Sequence, residues 1–412
     1  MSPASQQGRR ARIVLTIAVA AIAALAPYLK WRPTHVVDEP MSIAPALGMS
    51  GAPTTSVDGL RTRIADMENR LRERPHDAGA AVLLADALLR QARASADARS
   101  AGRAGELLKS VLKEHPGHYD ALRLLGAVHL SQHRFREALD VGRRARDLRP
   151  ADAWNYGIMG DALIELGEYE QAFEAIDRMV ATRPSAAAYA RVAYARELRG
   201  NLEGALDAMQ MAAEATPAQD PEAQAWYASQ VGELYLRMGK TDDADREYRR
   251  AASIFPDYPF AMVGIAKVQA AQGDRDGALK VYLDQLHRTP TLDLAGRIGD
   301  LYAQAGDSRQ AEHYFQLAED LAGPPMAQTE ATLAVFLAEH DRKLSDAAKI
   351  AEAVASVRHD IFTEDAVAWA YFKTGRVEEA FAASQRALRT GTRDARILSH
   401  AEQIQRARRA AD

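Results

Sequence analysis

Four histidines lie close together in this sequence and are the side chains best suited to bind a metal ion. His129 and His133 are four residues apart, which would place both imidazoles on one face of a helix. His115 and His118 lie shortly before them. In the internal repeat of the chain, however, His129 takes a position that tyrosine takes elsewhere, and His133 lies in a turn. We therefore predict packing and turn roles for these histidines, and no metal or cofactor site.

The sequence carries no complete catalytic motif. It contains no HExxH pair, phosphate-binding loop, GxGxxG turn or GxSxG elbow, and no cysteine for a thiol nucleophile or a zinc site. Asp274-Arg275-Asp276-Gly277 resembles part of a calcium loop but lacks the terminal glutamate, so we interpret it as a turn. The sequence therefore predicts that the protein is not an enzyme. An enzyme with an unrecognised site is a remote alternative.

Arginine is concentrated in one predicted hairpin and at the C-terminal end. Acidic residues are interspersed in that hairpin, and the formal net charge of the chain is −4, so no overall basic field favours nucleic acid. The pattern indicates a solvated surface, and contact with anionic lipid or nucleic acid is the alternative. The residues concerned are Arg134, Arg136, Arg143, Arg144, Arg146 and Arg149, followed by Arg406, Arg408 and Arg409.

An internal repeat determines where all these residues lie. Prolines recur with gaps of 34, 34, 33, 39 and 34 residues, and an alanine lies twelve residues before each of them. In four of these units a glycine lies five residues before the alanine. The prolines are Pro116, Pro150, Pro184, Pro217, Pro256 and Pro290, and the alanines are Ala104, Ala138, Ala172, Ala205, Ala244 and Ala278.

This spacing predicts two amphipathic helices, A and B, in each unit. The glycine ends helix A because it adopts the left-handed conformation at little cost. The alanine lies where the two helices cross closely, and the proline ends helix B or opens the next helix A. One such hairpin cannot bury its own apolar face, so successive units must stack.

The pattern resembles the tetratricopeptide repeat over residues 77–392. The fullest match is Val231-Gly232 with Tyr235, Gly239, Ala244, Tyr248, Ala251 and Pro256. The resemblance implies an all-α, right-handed superhelical solenoid of about nine helix hairpins. When the N-terminal segment is included, the chain resembles bacterial-type membrane-anchored or exported repeat proteins of this family.

Some units depart from the pattern. The first has about seven extra residues between its helices, near Ser95 to Gly102, and Asp220-Pro221-Glu222 is typical of a helix start. The unit around 328–359 has Arg342 where the glycine is expected. Residues 393–410 are predicted to form a C-terminal capping helix. The solenoid together with its caps is assigned to residues 57–408.

The N-terminal residues predict a membrane segment. Residues 1–12 are polar, 13–29 form an uncharged apolar run long enough to cross a bilayer as a helix, and 30–56 have the proline and glycine content of a flexible linker. Either an uncleaved single-pass anchor or a cleaved signal peptide fits this run. The positive-inside rule places the solenoid outside the cytoplasm if it is anchored, and cleavage would leave it periplasmic or secreted.

The resemblance also implies that helix A lines the concave side of the superhelix, where partners bind. The free face of helix A carries aromatic and acidic side chains that suit an extended, partly apolar and basic peptide. These candidate partner-binding residues are Trp154, Asp161, Tyr194, Trp226, Glu233, Phe260, Asp300, Phe336, Trp369 and Phe372.

These patterns predict a non-enzymatic interaction scaffold, tethered to the membrane, that binds a peptide or protein partner in its concave groove. Envelope assembly or maturation is the expected setting, and a cytoplasm-facing adaptor is the alternative. Neither nucleic acid nor a small-molecule substrate is expected as a partner.

Overall fold

The computed structural model describes residues 57–95, 98–322 and 331–411, which lie within one compact unit, Ser42–Asp412. Twenty helices and no strands occur in these ranges, as predicted. The first ten are α1 Val57–Glu73, α2 Ala78–Ser95, α3 Ala98–Glu114, α4 Tyr119–Ser131, α5 Phe135–Leu148, α6 Ala153–Glu165, α7 Tyr169–Thr182, α8 Ala186–Leu198, α9 Leu202–Glu214 and α10 Pro221–Arg237. The others are α11 Thr241–Ile254, α12 Pro259–Ala271, α13 Arg275–Arg288, α14 Leu292–Gln304, α15 Ser308–Ala322, α16 Ala331–Glu339, α17 Leu344–Ala355, α18 Ile361–Lys373, α19 Val377–Ala387 and α20 Ala395–Ala411.

The helices pack as consecutive hairpins of a superhelical solenoid. Within the described ranges, α2 to α19 form nine hairpins, numbered repeats 1 to 9 from α2–α3 to α18–α19. In each repeat the first helix is helix A and the second is helix B. The prediction of about nine stacked hairpins is confirmed.

The repeated glycines and alanines have the roles that the spacing predicted. Gly167, Gly239 and Gly306 end their helices A at φ values of 77°, 73° and 81°, a conformation that is costly for residues with a Cβ atom. The alanines at the helix crossings are completely buried, with Ala172 and Ala244 both 0% exposed. Larger side chains at these crossings would force the two helices apart.

Two repeats use a non-glycine residue at this turn. His133 has a φ of 56° in repeat 2, and Asp341 has a φ of 53° in repeat 8. The backbone N–H of Asp341 donates to the Ala338 carbonyl, and the N–H of Gly306 donates to the Ala303 carbonyl in the same way. Asp341 therefore takes the place of the glycine, one residue before the position predicted for it, Arg342.

The extra residues of repeat 1 were predicted between its two helices, but in the structure they lengthen the helices themselves. In repeat 1, both α2 and α3 are longer than the corresponding helices of repeat 2, with 18 and 17 residues against 13 and 14. In repeat 5, Asp220 caps α10 and accepts a hydrogen bond from the Ala223 backbone N–H at 3.3 Å. Pro221 occupies the first turn of the helix, so the predicted helix start is confirmed.

Helix α20 covers the last repeat, as the predicted capping helix. Ile397 and Ile404 are 1% and 0% exposed, and the His400 ring stacks on Trp369 of α18 with a centroid distance of 3.9 Å. Apolar surface that would otherwise end the stack is thereby buried.

The predicted membrane-anchored localisation needs correction. No helix in 57–95, 98–322 or 331–411 is long and apolar enough to cross a membrane. Residues 13–29, on which the prediction of an anchor or signal peptide was based, lie outside the described residues, as do the polar segment 1–12 and the linker 30–56. The predicted localisation is therefore withdrawn.

Candidate functional site

A groove runs over the helix A faces of repeats 5, 6 and 7. It encloses a cavity of about 340 Å³ between α10, α12 and α14. Glu233 and Phe260, two of the predicted partner-binding residues, line it. The remaining lining residues are Ser229, Gln230, Arg237, Tyr248, Pro259, Val263, Lys267, Gln285, Thr289, Thr291, Asp293 and Leu294.

Phe260 is the exposed apolar side chain of this groove. It is 43% exposed and lies in the first turn of α12, directly after Pro259. Its ring lies 5.4 Å from that of Tyr258, which is itself completely buried and donates a hydrogen bond from its hydroxyl to Glu222 Oε1 at 3.0 Å. A buried neighbour therefore supports Phe260 while leaving part of its ring accessible.

Glu233 forms a charged network at the edge of the groove. Its Oε2 atom accepts hydrogen bonds from Lys267 Nζ at 2.8 Å and from the Tyr248 hydroxyl at 2.9 Å. Arg237 Nε lies 3.5 Å from its Oε1 atom. Burial acts to raise the pKa of Glu233, but Lys267, Arg237 and Tyr248 outweigh it and hold the pKa below its ordinary value. The carboxylate is thus ionised and already paired.

The same pairing recurs along the solenoid. Asp161 accepts two hydrogen bonds from Arg191 of the next repeat, at 2.9 and 2.6 Å. Asp300 lies 2.8 Å from His340 Nε2, also of the next repeat. The three acids predicted to face a ligand therefore join successive repeats, and the helix A face is not the free acidic surface that the sequence suggested.

The predicted aromatic residues of repeats 3 to 5 are only partly exposed. Trp154 lies beneath the guanidinium groups of Arg123 and Arg191, at 5.4 and 5.8 Å from its ring centroid. Trp226 packs edge-on against Tyr227 at 4.9 Å. Burial raises the pKa of Tyr194 well above its ordinary value, and the nearby carboxylates add to the effect. These rings stabilise the repeats and contribute limited free surface.

Two predicted residues belong to the core. Phe336 and Trp369 are 5% and 6% exposed. Phe336 packs against Phe315 at 5.9 Å, and the His400 ring of the capping helix covers Trp369. Phe372 is half-buried beside Trp369. We therefore remove Phe336 and Trp369 from the candidate groove, because neither offers its ring to a partner.

The described residues show no arrangement suited to a metal ion. No group of three or more His, Asp or Glu side chains in these ranges is placed to hold one. His129 is 4% exposed, and burial, assisted by Arg134, lowers its pKa to about 4. It is therefore a neutral side chain within the helix packing of repeat 2.

Comparison with known proteins identifies the repeat. A sequence model described as "Tetratricopeptide repeat" matches residues 91–153, 159–220 and 232–292, so the chain contains tetratricopeptide repeats. No curated relative matches the chain in sequence.

Solved structures share the architecture. The human IFIT1 dimer with PPP-AAAA is 16% identical, with 80% of this chain and 78% of that chain covered and a TM-score of 0.53. The same dimer with m7Gppp-AAAA is 15% identical, with 80% and 77% covered and a TM-score of 0.53. At these identities the similarity establishes the fold alone, an all-helical tetratricopeptide solenoid.

Proposed function

We propose that this protein is a non-enzymatic scaffold that binds an extended peptide segment of a protein partner along the helix A face of repeats 5 to 7. The observation that carries this proposal is the exposed ring of Phe260 over a cavity of about 340 Å³. Val263 extends the apolar surface beside it, and the buried side chain of Leu294 forms part of the cavity lining. An aromatic or aliphatic side chain of the partner would pack on this surface.

Polar groups around Phe260 suit the backbone of an extended segment. The side chains of Gln230 and Thr291 line the cavity together with the apolar residues, and such groups fix orientation in binding sites that are otherwise apolar. The charged side chain Glu233 is already neutralised by Lys267. We therefore expect affinity to come mainly from apolar burial and to depend weakly on salt.

The other retained residues have supporting roles in this proposal. Trp226 and Glu233 lie on α10, Asp300 lies on helix A of repeat 7, and Trp154, Asp161, Tyr194 and Phe372 lie on the helix A faces of other repeats. An extended partner that continues beyond the Phe260 cavity would meet them. The ligand expected from the structure is apolar with few charges, in contrast to the basic peptide expected from sequence.

The proposal is tested by selecting peptides from a displayed library on the full chain and measuring their affinities. Phe260→Ala should weaken binding of the selected peptides by about thirtyfold, or about 2 kcal/mol, as expected for a central aromatic contact. Leu148→Ala is the matched control, because Leu148 is 50% exposed but lies on α5, away from the cavity. This control should change affinity by less than about threefold.

Two results would contradict the proposal. One is a set of peptides whose affinity is unchanged by Phe260→Ala. The other is a failure to select any peptide while the oligonucleotide PPP-AAAA, present in the IFIT1 structure, binds tightly. Binding of PPP-AAAA that falls steeply with salt would indicate recognition of phosphate charge.

A further inference from the structure

Two loops of the C-terminal repeats contact the middle of the solenoid. The first comprises residues 358–360 between α17 and α18 together with Ile361, the first residue of α18, and the second comprises residues 389–394 between α19 and α20. The backbone N–H of His359 donates to the Glu165 carbonyl at 3.2 Å. The N–H of Ile361 donates to the Tyr169 hydroxyl at 2.8 Å, which joins residues 192 positions apart. A simple array, in which each repeat contacts only its neighbours, would contain no such contacts.

Charged side chains surround these backbone contacts. Arg358 bridges two carboxylates, with Nη2 at 2.7 Å from Glu165 Oε2 and Nε at 2.7 Å from Asp360 Oδ2. Arg389 donates to the His359 carbonyl, and its guanidinium lies over the Tyr169 ring at 5.0 Å. The contact is therefore built from several directional interactions.

The second loop is held by charge as well. Arg237, at the end of α10, donates to Glu197 of α8 and lies 3.6 Å from Asp394 Oδ2. The loop before α20 is thereby joined to the helices A of repeats 4 and 5. These interactions and those of the first loop together are called the clasp.

Glycine at two of the turns allows the loops to approach closely. A Cβ atom at Gly167 would lie 2.4 Å from the His359 carbonyl oxygen, and one at Gly200 would lie 2.5 Å from the Gly391 oxygen. At Gly239 and Gly306, which end helix A in other repeats with similar φ values, a Cβ atom would meet nothing within 4 Å. Gly167 and Gly200 therefore serve the clasp in addition to their turns.

The chemistry of the clasp favours reversible contact. Polar interfaces within a chain resemble transient interfaces between proteins, whereas large apolar ones are permanent. Burial raises the pKa of Glu165 to about 7, although Arg358 opposes the shift, and Asp360 and Asp161 add to it. The tyrosines that also face this group are Tyr169 and Tyr194. Closure thus places a carboxylate in surroundings that disfavour its charge.

We propose that the clasp closes the solenoid into a ring and opens reversibly, exposing the surface around Tyr194. Tyr194 is partly buried in the closed ring, and burial, with Glu165 and Asp360 nearby, raises its pKa. Opening would release the two loops from the turns of repeats 3 and 4 and make the helix A face of these repeats accessible. Access of a partner to that face rests on the proposed function, whereas the opening itself does not.

The opening can be measured by the distance between two spin labels on the full chain. Because the natural chain has no cysteine, Glu170→Cys and Val357→Cys introduce unique labelling sites. Both positions are exposed and flank the first loop contact. At pH 5.5 the labels should give one short distance, which reports the closed ring.

The double variant Gly167→Ala with Gly200→Ala should open the ring, because the added Cβ atoms obstruct both loops. The short distance between the labels should then become a broad distribution of longer distances. The matched control is Gly239→Ala with Gly306→Ala, which introduces the same left-handed strain without obstructing either loop. The control should keep the short distance. A short distance in the Gly167 and Gly200 variant, or an equal opening in the control, would overturn the proposal.

Reversibility is tested by changing the pH of the labelled chain in which Gly167 and Gly200 are retained. The pKa of Glu165 is raised from 4.5 to about 7 in the closed state, so closure favours the protonated form and weakens as the pH rises through this window. At pH 8.5 the labelled chain should show a larger long-distance population, and Glu165→Gln should remove the change with pH. A single short distance at both pH values would overturn reversible opening, whatever the outcome of the peptide measurements.

Discussion

Gly264→Ala should destabilise the repeat 5–6 junction that forms one wall of the candidate groove. Tyr248 of α11 lies in a slot between two helices A, where a Cβ atom at Gly232 would be 3.0 Å from its ring and one at Gly264 only 2.2 Å. Tyr248 is 1% exposed and donates a hydrogen bond to Glu233 at 2.9 Å. The ring therefore has little room to yield.

The magnitude follows from two opposing effects. Ring atoms must move by more than about 1 Å to reach an ordinary contact distance of 3.4 Å, and overpacking of this kind costs about 1–3 kcal/mol. Alanine in place of a helical glycine returns about 1 kcal/mol. Because the required movement is large, we take the upper end of the cost and expect a net loss of about 2 kcal/mol.

Urea denaturation followed by circular dichroism measures the effect. Gly102→Ala in α3 is the matched control, because a Cβ atom there would meet nothing within 4 Å. It should stabilise the protein by up to about 1 kcal/mol. The decisive test repeats Gly264→Ala in a Tyr248→Leu background, where the steric cost should vanish. An equal loss in both backgrounds would refute the assignment of the cost to the Tyr248 ring.

Two further predictions concern other junctions. Burial acts to lower the pKa of His340, but hydrogen bonds to Asp300 and to the Phe336 carbonyl outweigh it and raise the pKa above 6.5. The stability that His340 contributes should therefore be complete below pH 6.5 and be lost as the pH rises through the raised pKa. His340→Gln should reduce the difference in melting temperature between pH 5.5 and pH 8.5. An unchanged difference would contradict this role of His340. Ala244→Leu, at a completely buried crossing, should lower the free energy of unfolding in urea by about 1–3 kcal/mol. The control, Ala271→Leu at an exposed position, should have little effect. Equal stability of the two variants would show that Ala244 is not at a close crossing.

The fold could be predicted from sequence because its determinants are local. Glycine at the end of helix A and alanine at the crossing each satisfy a requirement within one hairpin, so their spacing reveals every regular repeat. Repeat 8 shows the limit of this reasoning. Its turn uses Asp341, a residue type that tolerates the left-handed conformation, and without glycine as a marker the predicted position was one residue too late.

The candidate groove could be predicted only in part, because exposure depends on distant residues. The repeat spacing places Glu233 and Phe260 on helix A, and both line the cavity. It carries no information that Trp369 lies under the capping helix or that the 358–361 loop approaches Tyr194. For the acidic residues, the sequence did hold a signal that they are paired: a basic residue in the next repeat, as Arg191 is for Asp161.

The clasp changes how stability is distributed along the solenoid. In an open array, an end repeat has one neighbour and unfolds locally at low cost. The hydrogen bonds of His359 and Ile361 attach repeat 9 to repeat 3 as well. Local unfolding of the last repeats must then break these long-range contacts in addition to the interface with repeat 8. The ring is therefore expected to unfold more cooperatively when closed than when open.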